Sequence, residues 1–204
     1  APEPIFGLAV TGIVDNQNLK RNDQAEAGCH LYLTKPIGIG VLTTAQKKKC
    51  LKPEHLLLAP DTMCQLNKVG AEFASLPAVT AMTDVTGFGL MGHLTEMCEG
   101  SQVRAVINYQ SVPKLAEVET YLELGCSPGG AQRNFESYGH KLGTMSSVQQ
   151  QILCDPQTSG GLLVAIKPDD KKDFLAIAQA HNLQLDVIGR LEAIADDQPL
   201  ISIT

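Results

Sequence analysis

Short apolar strands and amphipathic helices alternate along this chain, and several connections between them are too short to carry a parallel crossover. That constraint favours an α+β fold in which a mixed or largely antiparallel sheet packs with helices, and it disfavours a doubly wound parallel sheet. The strands expected are "CHLYLTK" (29–35), "AVTAMTD" (78–84), "VRAVINY" (103–109), "LLVAI" (162–166), "LDVIGRLEAI" (185–194) and "PLISIT" (199–204). Helices are expected from "VLTTAQKKK" (41–49), bounded by Pro53, and over 60–73, where Met63, Leu66, Val69, Ala71 and Phe73 suit one face. Further helices are "GLMGHLTEMCEG" (89–100, ending on Gly100), "KLAEVETYLELG" (114–125), a short one near Val148 to Leu153, and "DDKKDFLAIAQAHN" (169–182). The glycine-bearing stretch 126–143 carries no clear period.

With 204 residues the chain can bury a full core. Its start, "PIFGLAVTGIV", predicts a strand over 5–14 that needs a neighbour, and the polar stretch 15–28 reads as a connection between domains. The expected division is therefore 1–26, a terminal strand of another domain plus linker, and 27–204, a carboxy-terminal domain, with the chain a fragment of something longer. A net charge of −6 excludes an extended nucleic-acid surface, and no apolar run is long enough to span a bilayer. The basic run "KKK" (47–49) is read as solvating a helix end. Six cysteines (Cys29, Cys50, Cys64, Cys98, Cys126, Cys154), with no pair at CxxC spacing, read as scattered reduced thiols of a cytoplasmic protein.

Three segments hold chemistry-bearing residues. In "TDVTGFG" (83–89) a carboxylate, Asp84, stands between a strand end and two glycines, Gly87 and Gly89, that precede a helix. A lone carboxylate beside backbone free of Cβ atoms suits a Mg²⁺ ion shared with phosphate, since Mg²⁺ takes few protein oxygens; the competing reading is that Asp84 caps the helix. "TKPIGIG" (34–40) sets Lys35 before a glycine loop and a helix start, a weak version of a phosphate cradle. "DPQTSGG" (155–161) is either a polar ligand loop or an elaborate structural turn. His93 has no second ligand at metal spacing and reads as a hydrogen-bonded core histidine, and spacing defines no nucleophile.

The phrases "APEPIFGLAVTGIV", "LYLTKPIGIGVLTTA", "MTDVTGFGLMGHL", "PGGAQRNFESYG" and "DPQTSGGLL" together resemble the carboxy-terminal two-thirds of bacterial selenophosphate synthetases, the selenide, water dikinases. The resemblance implies the fold of the carboxy-terminal domain of aminoimidazole ribonucleotide synthetase and an enzyme that turns ATP, selenide and water into selenophosphate, AMP and phosphate. It also implies a homodimer joined through amino-terminal domains that hold ATP and Mg²⁺. It assigns Asp84 as a carboxylate reaching a Mg²⁺ on the ATP phosphates and gives Gly87 and Gly89 the task of leaving room for triphosphate; Lys35, from the cradle reading, stands with these glycines as a nucleotide-contact candidate. The reactive Cys or selenocysteine, its lysine and most magnesium aspartates of that family lie upstream of the position matching Ala1, so no catalytic residue is expected in this chain. The alternatives are another ATP-dependent member of the superfamily, or a stand-alone binding or assembly domain.

Overall fold

The structure is a computed structural model that describes residue 7, residue 9 and residues 11–204. Among these, six strands form one sheet: β1 (His30–Leu33), β2 (Val79–Asp84), β3 (Val103–Ile107), β4 (Leu162–Ile166), β5 (Gly189–Ala193) and β6 (Ile201–Ile203), in the order β2-β4-β1-β5-β3-β6. Every neighbouring pair is antiparallel except β3 with β6. The helices are α1 (Ile39–Lys47), α2 (Leu58–Cys64), α3 (Val69–Ala74), α4 (Gly89–Ser101), α5 (Val118–Glu123), α6 (Gly129–Tyr138), α7 (Ser147–Leu153) and α8 (Lys171–Ala180). The mixed, largely antiparallel α+β architecture is thus the observed one.

Around β2, β4 and β1 the sheet is covered on both faces, and the alternation of side chains along these strands shows how. Leu31 and Leu33 of β1, with Leu163 and Ala165 of β4, enter a large core that also takes Leu90, Leu94 and Met97 of α4 and Val41 and Leu42 of α1. Tyr32, Val164 and Ile166 point the other way, into a smaller core with Phe73 of α3 and Phe174 of α8. There Phe174 stacks obliquely between Phe73 and Tyr32, with ring centroids 4.3 and 5.0 Å apart. Strands buried on both faces explain why "LLVAI" is apolar throughout.

Several expected boundaries move. The single helix over 60–73 is two helices, because Gln65 is extended and its carbonyl is engaged by Lys35 Nζ at 2.6 Å. Helix α4 ends one residue beyond Gly100, at Ser101, and is followed by Gln102 in the left-handed region (φ 57°). Gly100 instead makes room for Asp23, whose Cβ would lie 2.7 Å from any added side-chain carbon. Stretch 126–143 contains α6, whose buried residues Ala131, Asn134 and Tyr138 are too few and too mixed to mark a period. The helix at 114–125 is confined to α5, since Glu117 takes a left-handed conformation at its start. The short helix near 148–153 is α7, closed at its start by a reciprocal Ser146–Gln149 capping box. Of the strand expected over 5–14, Ile5, Phe6, Leu8 and Val10 lie outside the described residues, while residues 11–14 are exposed and in no strand.

Candidate functional site

Asp84 is the last residue of β2, where the strand leaves the sheet beside Leu162. It does not cap α4: the residue before that helix is Phe88, with no side-chain cap. Among the described residues no hydrogen bond reaches the Asp84 carboxylate, which is exposed on the wall of an open cavity of about 710 Å³. The cap reading therefore fails, and the carboxylate is left available to a ligand. The remaining walls include Lys20, Arg21 and Asp23 from the segment before β1, and Asn67 from the break between α2 and α3. Lys20, Arg21 and Asp23 belong to a polar stretch read only as a linker, and nothing in their spacing distinguishes them from solvated loop.

The turn after Asp84 is held from within. His93 of α4 is buried and accepts from the Thr86 backbone N–H at 3.0 Å through Nε2, which confirms a hydrogen-bonded core histidine. Gly89 (φ +69°) faces the backbone of Cys154 and Asp155 at 2.8 to 3.0 Å from where a Cβ would stand, so the protein's own chain accounts for the glycine there. Gly87 has nothing within 4 Å of its Cβ direction.

"DPQTSGG" is the part that joins the three motifs. Asp155 Oδ2 accepts from the Gly40 N–H at 2.9 Å, and Gln157 Oε1 accepts from Gly38 and Ile39 N–H groups, both at 3.2 Å. These N–H groups are the start of α1, so the phosphate-cradle reading of "PIGIG" gives way to a side-chain cap supplied from 115 residues downstream. Gln157 N–H donates to Thr86 at 3.0 Å, and Gly161 O accepts from Val85 N–H at 2.8 Å, docking the loop on the Asp84 turn. Lys35 lies under the same loop. It is 4% exposed, and its ammonium donates to Gln65 O at 2.6 Å and Ser159 O at 2.7 Å; burial draws its pKa below the ordinary lysine value. It lines a separate cavity of about 340 Å³ that shares Asn67 with the Asp84 cavity.

Buried Asp155 has one oxygen, Oδ1, without a partner, and desolvation pushes its pKa up to about 7 against hydrogen bonds from Gln157 and Gly40. A carboxyl with a raised folded pKa binds its proton more tightly in the native state. Its stabilising contribution is full below the unfolded value near 4 and is lost as pH rises towards 7. The difference in unfolding free energy between the wild type and Asp155→Asn is expected to change by up to about 4 kcal/mol between pH 4 and pH 8. Urea unfolding at each pH measures it, and a difference that stays flat contradicts a protonated Asp155.

The thiols offer no catalytic nucleophile at this site. Burial pushes Cys98 up to about 12 and Cys154 up to about 11, which keeps both protonated and inert. Among the described residues no three His, Cys, Asp or Glu side chains gather into a metal cage. A Mg²⁺ fits here only in the few-ligand manner, with the unengaged oxygens of Asp84 as one protein contribution.

The α+β fold and the sequence together place the chain in a known class. Residues 26–198 match the family described as AIR synthase related protein, C-terminal domain, and the chain belongs to that family. Within it, the chain is 60% identical over 203 residues to the selenide, water dikinase of Yersinia pseudotuberculosis serotype I (strain IP32953), covering 100% of this chain and 58% of that protein. The chain thus spans under two thirds of the length of the curated relatives it matches. The fold is shared with thiamine-monophosphate kinase from Stenotrophomonas maltophilia K279a (TM-score 0.63, 14% identity, 93% of this chain and 54% of that one). It is shared also with the hydrogenase maturation protein HypE in complex with ATP (TM-score 0.60, 16% identity, 90% and 49%). No helix among the described residues is long and apolar enough to cross a membrane.

Proposed function

We propose that this chain is the carboxy-terminal portion of a selenide, water dikinase, and that it contributes Asp84 to a Mg²⁺–ATP site completed by an amino-terminal domain. The observation that carries the reading is the exposed, unengaged Asp84 carboxylate facing a cavity, in a chain 60% identical to a protein of that name. The activity is the conversion of ATP, selenide and water to selenophosphate, AMP and phosphate. Mg²⁺, when bound, neutralises phosphate charge; phosphoryl transfer draws mainly on such neutralisation and on positioning.

The chain's own residues have defined tasks in this reading. Asp84 presents its oxygens at the strand end, and the capped start of α1 holds "DPQTSGG" beneath the Asp84 turn. Gly87 leaves the phosphate side of the turn open, and Gly89 lets that turn lie directly on the 154–155 backbone. Lys35, its ammonium held by the Gln65 and Ser159 carbonyls, lines the neighbouring cavity that shares Asn67 with the Asp84 cavity, and is the nucleotide-contact candidate on that side. The family's homodimer, joined through amino-terminal domains, and a cytoplasmic location belong to the same proposal.

Two measurements test it. A chimera carrying the amino-terminal portion of the Yersinia relative joined to this chain is expected to form AMP from ATP only when selenide is present. This chain alone is expected to form no AMP above background. A chimera that makes ADP, or AMP without selenide, supports another ATP-dependent member of the superfamily; activity by the chain alone overturns its incompleteness.

A further inference from the structure

The cysteines are not all scattered. Cys50 follows α1 and Cys126 follows α5, 76 residues apart in sequence, yet their sulfurs stand 3.1 Å from each other. That is close enough for bond formation with little movement of either side chain. Each is seated by its own backbone: Cys50 N–H donates to Ala45 O at 3.0 Å, and Cys126 N–H donates to Tyr121 O at 2.9 Å. Tyr121 fixes the facing segment in turn, accepting from Lys52 N–H at 2.9 Å and pairing with His55 Nδ1 at 2.8 Å.

The two thiols differ in a way that suits stepwise oxidation. Cys50 is partly exposed and open to a soluble reagent, whereas Cys126 is buried behind it. Burial and the neighbouring Cys50 hold the Cys126 thiol above the ordinary cysteine value, opposed by the charge of Lys48, whose Nζ donates to the Gly125 carbonyl at 2.7 Å. The other ionisable groups of the two segments are Tyr121 of α5 and, across from it, His55, and among the described residues no carboxylate is hydrogen-bonded to either sulfur.

We infer that Cys50 and Cys126 form a redox-reactive dithiol that closes to a disulfide with a low-molecular-weight disulfide such as oxidised glutathione. The Cys50 thiolate attacks one sulfur of oxidised glutathione, forming a mixed disulfide and releasing one glutathione thiolate. Cys126 then loses its proton and attacks the Cys50 sulfur, forming the Cys50–Cys126 bond and releasing the second glutathione. Two protein thiols are oxidised by two electrons and one disulfide is reduced, so the step balances. The product ties the end of α1 to the end of α5.

The test is to equilibrate the chain in glutathione buffers of stepped redox ratio, block free thiols with an alkylating reagent, and map peptides without reduction. The expected result is a Cys50–Cys126 crosslink within one chain, with melting raised by about 5 to 10 °C in the oxidised form. Cys126→Ala should instead accumulate glutathione on Cys50, because the resolving thiol is gone. Should that variant fail to fold, the wild-type peptide map decides alone. Cys50 and Cys126 both remaining alkylatable at every ratio overturns the inference, as does crosslinking through exposed Cys64 in their place.

Discussion

Replacing Gly160 by alanine is expected to lower unfolding free energy by about 3 kcal/mol or more, a size reserved for substitutions that force backbone apart. A methyl group there would occupy the space of the Val85 carbonyl oxygen and crowd Gln157 Cβ at 3.1 Å. Neither neighbour can give way cheaply. Val85 N–H is bound to Gly161 O at 2.8 Å, and Gly160 O accepts from Asn67 Nδ2 at 2.9 Å, so one shift breaks contacts to both the Asp84 turn and the α2–α3 break. Gly87→Ala is the contrast: with open space around its Cβ direction it should change stability by less than about 0.5 kcal/mol. Urea midpoints measure both, and a Gly160→Ala midpoint equal to wild type contradicts this docking of the loop.

Asp84→Asn is expected to act on turnover and leave the fold alone. No hydrogen bond to the carboxylate is lost among the described residues, so unfolding free energy should stay within about 0.5 kcal/mol of wild type. In the chimera the same change removes the carboxylate charge proposed to face Mg²⁺ while keeping size. A loss of about 100-fold or more in selenide-dependent AMP formation is expected, equivalent to roughly 3 kcal/mol of transition-state stabilisation. A variant equally impaired in stability and turnover would make Asp84 a structural residue.

Much of the fold is legible in the sequence because its strands are apolar, with β3 and β4 buried on both faces. "LLVAI" and "AVTAMTD" announce themselves as strands by β-branched and apolar runs, and short connections alone disfavour a parallel sheet. What escaped is set by contacts across long sequence separations. The break at Gln65 exists because Lys35 and "DPQTSGG" engage it from elsewhere in the fold, which no local period records. The start of α1 looks like an open anion site until Asp155 and Gln157 fill it. Asp84 was visible as a carboxylate at a strand end, but choosing between cap and ligand needed the helix start at Phe88 and Gly89. Lys20, Arg21 and Asp23, which share its cavity, carry no signature beyond polarity. The Cys50–Cys126 proximity is likewise purely tertiary.

The Mg²⁺ dependence of AMP formation by the chimera tests most directly the proposal that Asp84 supplies an oxygen to a Mg²⁺ on the nucleotide. With wild-type and Asp84→Asn chimeras titrated at fixed ATP and selenide, the variant is expected to need about tenfold more Mg²⁺ or more for half-maximal rate, with part of the lost activity restored at saturation. An unchanged Mg²⁺ requirement in an Asp84→Asn chimera, whether active or impaired, would contradict it.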